Sequence, residues 1–146
     1  MTLEEMEKEL RTLRDTEEIK KLHTEYVFWL MNHQWEDIID CFAENAIADI
    51  WNHGVGKGKE GITRLFKDVI AKEVPWDSGH LLAQPVISVD GDKARGHWIL
   101  YIFFAERPKV WVQGRYDCEY IKLDGKWKFS SLKFTAPWPV PPESTG

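Results

Sequence analysis

The stretch "WDSGHLLAQPVISV", residues 76–89, sets His80 directly after a Ser-Gly turn and directly before an apolar run that reads as a strand. An imidazole, with an ordinary pKa of about 6.5, can take up a proton near neutral pH. A tyrosine is neutral there and can donate a hydrogen bond to an oxygen that gains negative charge, and Tyr26 in "TEYVFWL" lies on an apolar helical face. Asp49 in "AIADIW" is the nearest spare carboxylate by pattern. Strand phase decides its position: with Ile47 inward Asp49 is inward too, whereas with Ala48 and Ile50 inward it is solvated. Structural roles compete with these. His80 at a rim bonded to backbone, or Tyr26 as a core residue whose hydroxyl finds a carbonyl or water, would satisfy the same pattern.

The other histidines read differently. His97 in "RGHWIL" is one residue out of phase with Trp98, Leu100 and Ile102, so if those face inward it faces solvent. His23, three positions before Tyr26, is close to the same face and could add a polar pocket group, although an exposed or capping role is commoner. His33 and His53 fall in loops. No H-x-H, H-E-x-x-H or facial-triad spacing occurs, so neither a metal nor a cofactor is expected. The glycine loop "GVGKGKEG" lacks both the Walker spacing and a preceding βαβ unit, and reads as a tight approach into a helix.

The elements that must position these residues begin with a long helix from Thr2 to about Asn32. Its apolar positions are Leu3, Met6, Leu10, Leu13, Ile19, Leu22, Tyr26, Val27 and Leu30, with Thr2 and Glu5 as a capping box. A short helix over Trp35–Phe42 follows, then "AIADIW" as a first strand. A third helix carries Ile62, Leu65, Phe66, Val69 and Ile70 on one face and ends before Pro75. After Pro75 the pattern turns to strands: "HLLAQPVISV", "KARGHWILYIFFA", "KVWVQGRYDCEYIKL" and "KWKFSSLKF", with Asp90-Gly91 and Asp124-Gly125 as turns. On the third of these, Gly114, Tyr116, Cys118 and Tyr120 share one face, which should line core or pocket. Helices first and an antiparallel meander after predict an α+β domain over residues 1–136, with a proline-rich tail over 137–146.

With 146 residues the chain fits one domain with its own core. A net charge of −5 with mixed signs offers no basic stripe, so nucleic acid is not an expected partner. Two distant cysteines, Cys41 and Cys118, suggest neither a disulfide framework nor a zinc site and fit a cytoplasmic setting. The charged start "MTLEEMEKEL" and the lack of a long apolar run predict no signal peptide and no membrane span. Aromatic residues make up 13% of the chain, and such side chains line small-molecule pockets as well as cores.

Three stretches, "EEIKKLHTEYVFWLMNHQWEDIIDCFAENA", "SGHLLAQPVISVDGDKARGHWIL" and "GRYDCEYIKLDGKWKFSSLKF", resemble the SnoaL-like branch of the nuclear transport factor 2-like superfamily over nearly the whole chain. That group includes scytalone dehydratase, bile acid 7α-dehydratase and ketosteroid isomerase. The resemblance implies a cystatin-like cone: a strongly curved, mainly antiparallel sheet wrapped around the long helix, two shorter helices, and a pocket at the wide end. It matches Tyr26 to the helix tyrosine and His80 to the strand histidine of the dehydratases. It also implies departures. Met31 and about Ile102 stand where the bile acid enzyme carries carboxylates, and positions near Gly114 and Tyr116 do not reproduce the second histidine and Ser/Asn pair of scytalone dehydratase.

On that basis the expected activity is a cofactor-independent, dehydratase-like lyase or an isomerase. Its substrate would be a small, apolar, carbonyl-bearing and cyclic molecule, with His80 as base, Tyr26 as oxyanion donor and Asp49 as the available acid. Trp29, Met31, Trp51, Trp98, Ile102 and Tyr116 are the expected ligand contacts, and Trp138 is a further flat apolar surface. The missing acids keep a non-catalytic ligand-binding or accessory protein as the alternative. A homo-oligomer, dimer or trimer, is also expected, because both phases of "HWILYIFF" are apolar or aromatic.

Overall fold

The protein is described by a computed structural model over residues 1–140. Helix α1 (Leu3–Met31) opens with the expected capping box: Thr2 Oγ1 accepts from the Glu5 amide at 3.1 Å and Glu5 accepts from the Thr2 amide at 3.0 Å. Only its second half is a core element, burying Asp15, Ile19, His23, Tyr26, Val27 and Leu30. Leu3, Met6, Leu10 and Leu13 continue the apolar stripe but are exposed. At about 44 Å the helix outruns the surface available to cover it. Asp15 ties it to the sheet by accepting from Lys122 Nζ at 2.9 Å and from the Trp127 indole at 3.0 Å. Burial opposes the charge on Asp15, yet those two donors hold its carboxyl below the usual carboxylate range.

After α1 come α2 (Trp35–Asp40), β1 (Phe42–Ile50) and β2 (Gly54–Lys57). The expected first strand therefore starts earlier, and the glycine loop contains a strand, β2, that short glycine-rich patterning did not reveal. Glycine serves close approach there: a Cβ on Gly56 would lie 2.7 Å from the Gly61 carbonyl oxygen. Helix α3 (Gly58–Arg64) continues through a wider π-helical stretch, Leu65–Ile70, into a last turn, α4 (Ala71–Glu73), and stops where Val74 turns extended before Pro75.

Strands β3 (Ser78–Asp90), β4 (Lys93–Phe104), β5 (Trp111–Leu123) and β6 (Lys126–Thr135) form the meander. The six strands run in the order β2-β1-β6-β5-β4-β3, with β1 and β6 parallel and the other neighbours antiparallel, so the sheet is mixed. It wraps the second half of α1. At the β3 edge Gln84 and Pro85 form a bulge opposite Trp98, between the pairs Ala83–Ile99 and Val86–His97. Proline has no amide for the ladder, and an edge strand tolerates that loss. The loop ends Asp124 and Gly125 both have positive φ, 50° and 78°, the twist that a two-residue hairpin requires. Of the tail, residues 137–140 lie against the sheet, where the Trp138 amide donates to Gln113 O at 2.9 Å and the Arg115 guanidinium lies 5.1 Å from the Trp138 ring. The rest of the expected tail, 141–146, lies outside the described residues. No described helix is long and apolar enough to cross a membrane.

Candidate active site

A cavity of about 240 Å³ opens between α1, the α3–α4 helical run and the inner face of the sheet. Its largest wall follows from strand pleat. Ser78, His80 and their cross-strand partners Phe104 and Ile102 all point inward, as even-numbered positions of an antiparallel pair must. Tyr26 from α1 and Tyr116 from β5 close the deep end, both essentially fully buried, with ring centroids 6.3 Å apart.

Two of the groups expected to do chemistry, His80 and Tyr26, therefore line one cavity. Burial lowers the His80 pKa to about 4, so the ring is neutral near pH 7, and its Nδ1 is buried with no hydrogen-bond partner among the described residues. Burial, with smaller repulsion from Tyr116 and the two thiols, pushes the Tyr26 phenol well above its ordinary range, so it stays a neutral donor. Tyr116 is raised by the same burial.

The remaining expectations divide. Trp51, Ile102 and Tyr116 line the cavity. Met31 sits behind His80 instead, its Sδ accepting from the His80 amide at 3.1 Å. Trp29 faces a separate groove with Leu22, Cys41 and Lys128. Trp98 shares the inward phase of Ile102 but lies deeper in the cone, packed 4.8 Å from the His23 ring with its Nε1 donating to the Tyr120 hydroxyl at 3.1 Å. Trp138 faces an outer groove with Trp51 and Trp111. Asp49 is outside the cavity: Ala46, Ala48 and Ile50 are the buried phase of β1, and Asp49 faces outward, registered against Val55 and Lys133. The helical run covers that inner face, where a carboxylate at 49 would have no partner. His23 needs correction as well. It is neither exposed nor capping but fully buried, with Nδ1 3.0 Å from the Tyr120 hydroxyl.

The structure adds ionisable groups that the sequence reading did not place here. His53, in the turn between β1 and β2, bonds through Nδ1 to Glu73 at the end of α4, and both line the cavity. Arg107 lines it too and bonds Asp77 at 3.0 and 3.3 Å. That pairing holds the Asp77 carboxyl below its ordinary range. Glu73 was within reach of pattern, being three residues beyond Ile70 on the same helical face. His53 was not, because its position depends on Trp51 at φ 46° turning the chain back over the mouth. Among the described residues no three His, Cys, Asp or Glu side chains group as metal ligands.

A SnoaL-like domain profile matches residues 11–133. The chain belongs to the SnoaL-like family. Solved structures agree on the fold. A protein of the nuclear transport factor 2-like class with a cystatin-like fold, from Novosphingobium aromaticivorans, superposes with a TM-score of 0.79 at 18% identity, covering 95% of this chain and 92% of its own. A candidate scytalone dehydratase from the same species gives 0.73 at 15% identity, covering 86% of each chain. A hexachlorocyclohexane dehydrochlorinase from Novosphingobium barchaimii gives 0.73 at 24% identity, covering 92% and 99%. This SnoaL-like chain thus has the cystatin-like architecture, with its cavity between α1, the α3–α4 helical run and the inner face of the sheet.

Proposed function

We propose that the cavity is the active site of a cofactor-independent lyase that eliminates a β-substituent from a small, apolar, carbonyl-bearing cyclic substrate. The observation that carries this reading is a neutral imidazole, His80, and a neutral phenol, Tyr26, on the walls of one largely apolar hollow. His80 takes the proton next to the carbonyl. Tyr26, with Tyr116 beside it, donates to the carbonyl oxygen as it becomes an enolate. A base of pKa about 4 is adequate: ketosteroid isomerase enolises its substrate with an aspartate of pKa about 4.6. The names of two structural neighbours, a dehydratase and a dehydrochlorinase, denote eliminations and support the reaction class. A volume of 240 Å³ falls below the usual span of roughly 300–1,000 Å³ for ligand sites, which favours a one- or two-ring substrate. An isomerase would use the same enolate. Two buried, unpaired thiols, Cys41 and Cys118, support a cytoplasmic setting.

A second reading has its own observation. Met31 and Ile102 present sulfur and hydrocarbon where the bile acid enzyme of the resemblance carries acids, and among the described residues His80 Nδ1 has no partner and so no orienting carboxylate, which suits a binding protein without chemistry. Mass spectrometry of cyclic enones and β-hydroxy ketones incubated with the protein separates the two. The His80→Ala variant should lose turnover by roughly 100-fold or more while ligand affinity and fold persist. Ligands that bind and emerge unchanged from the wild-type protein establish the binding role instead.

A further inference from the structure

Elimination of hydroxide needs an acid at the leaving oxygen as well as a base at carbon, and neither His80 nor Tyr26 is free to be that acid. His80 receives the carbon-bound proton, and the Tyr26 hydroxyl is engaged with the carbonyl oxygen. We propose that His53 and Glu73 are a second proton-transfer pair of the same cavity, with His53 as the acid that protonates the departing oxygen and Glu73 as its positioning residue. This rests on the elimination reading above.

Three observations carry it. The two side chains come from separate elements, the β1–β2 turn and the end of α4, and meet at the cavity wall. The bond to Glu73 occupies Nδ1, which fixes the ring's orientation and leaves Nε2, unbonded among the described residues, for a ligand. Finally, the side chains of His53 and Glu73 keep 19% and 47% of their surface exposed, so the pair is in contact with bulk water. His80 has the opposite surroundings: mostly buried, with no carboxylate bonded to it among the described residues. Two titratable groups in one site with contrasting environments are how a single pocket separates acid from base work.

The step balances. The lone pair of His80 takes the proton from the carbon next to the carbonyl, and the electrons of that C–H bond form the new C=C bond. The C–O bond breaks with its pair on oxygen, which takes the Nε2 proton of His53 and leaves as water. His80 ends protonated and His53 neutral, and solvent restores both.

The test compares a poor and a good leaving group on one ring, using β-hydroxycyclohexanone and β-(nitrophenoxy)cyclohexanone with the full chain. Nitrophenolate departs without a proton, so it does not need the acid. Both His53→Gln and Glu73→Gln should lower kcat for the hydroxy ketone, by roughly 100-fold for His53→Gln, leaving KM and nitrophenolate release within about threefold of wild type. His80→Ala should abolish both reactions. Equal losses on the two substrates, or no loss on either, overturn the acid assignment while leaving the elimination reading intact. A wild-type protein that releases neither water nor nitrophenolate overturns both. Glu73 is half-exposed at a helix end, so Glu73→Gln serves as the variant least able to disturb folding.

Discussion

At the residue scale, His23 shows how far burial moves a histidine. It is packed among aromatic rings, with centroids 4.5 Å from Tyr116 and 5.2 Å from Phe129, and its Nε2 has no hydrogen-bond partner among the described residues. Desolvation lowers its pKa to about 3, and the same effect lowers His80 to about 4. In the unfolded chain both return to about 6.5. As pH falls below that value the unfolded state binds protons the folded state refuses, so stability is full above pH 6.5 and declines down to the folded values. Each group contributes a slope of about 1.4 kcal/mol per pH unit inside its window. Urea unfolding followed between pH 6 and 4.5 should therefore take up close to two protons from this pair, and His23→Gln should remove about one. An unchanged slope in that variant would show that His23 is not held neutral. Local pattern placed His23 near the right helical face but could not say that a sheet would close over it.

At the element scale, β5 and β6 fit together through a missing side chain. A Cβ on Gly114 would stand 2.4 Å from the Phe134 ring and 2.8 Å from the Thr135 carbonyl oxygen. Phe134 is itself a wall of the cavity. Gly114→Ala must therefore push an aromatic ring into the hollow or part the two strands. A loss of roughly 1–3 kcal/mol in urea unfolding is expected, together with weaker binding of cyclic ketone ligands by calorimetry. Unaltered stability and affinity would mean that the strands yield without cost. The site was partly legible at this scale. Alternation put Ile102 in phase with Trp98 and Leu100 and helical periodicity put Tyr26 on the apolar face, because those patterns define which face a residue occupies, while the pairing of His80 with Tyr26 came from the family resemblance. They do not define depth, which is why Trp98, in phase with Ile102, lies beyond the cavity and Trp29, three residues after Tyr26, faces another groove.

At the scale of the whole molecule, apolar surface remains on the outside. Leu81, Tyr101, Phe103 and Trp111 meet across the outer face of β3, β4 and β5. Leu81 is registered against Tyr101, Phe103 against Trp111, and the rings of Tyr101 and Phe103 stack at 6.1 Å. Leu81, Phe103 and Trp111 are each about half exposed. A contiguous patch of this kind marks an association surface, and we propose that it joins copies of this chain into the expected dimer or trimer. Light scattering should give a mass that is a multiple of 17.1 kDa, and Phe103→Glu with Trp111→Glu should return the monomer. A wild-type monomer at micromolar concentration would leave the patch without that role.

Periodicity and turn chemistry, both local, were enough to specify the long capped helix, the meander of four strands and the inward faces, whereas the cone came from the family resemblance; the turn expected at Asp90-Gly91 falls one residue later, on Gly91 and Asp92, with Asp90 paired to Lys93. The capping box, the alternation of β4 and the Asp124-Gly125 turn each need only residues a few positions apart. What tertiary structure alone decided is which inward-facing residues share a cavity. His53 reaches Glu73 across 20 positions of sequence, Asp49 is turned outward because the helical run covers Ala48 and Ile50, and the first half of α1 stays bare because the sheet does not reach it. These are matters of packing between distant segments, and a period of two or of 3.6 residues carries no information about what lies opposite.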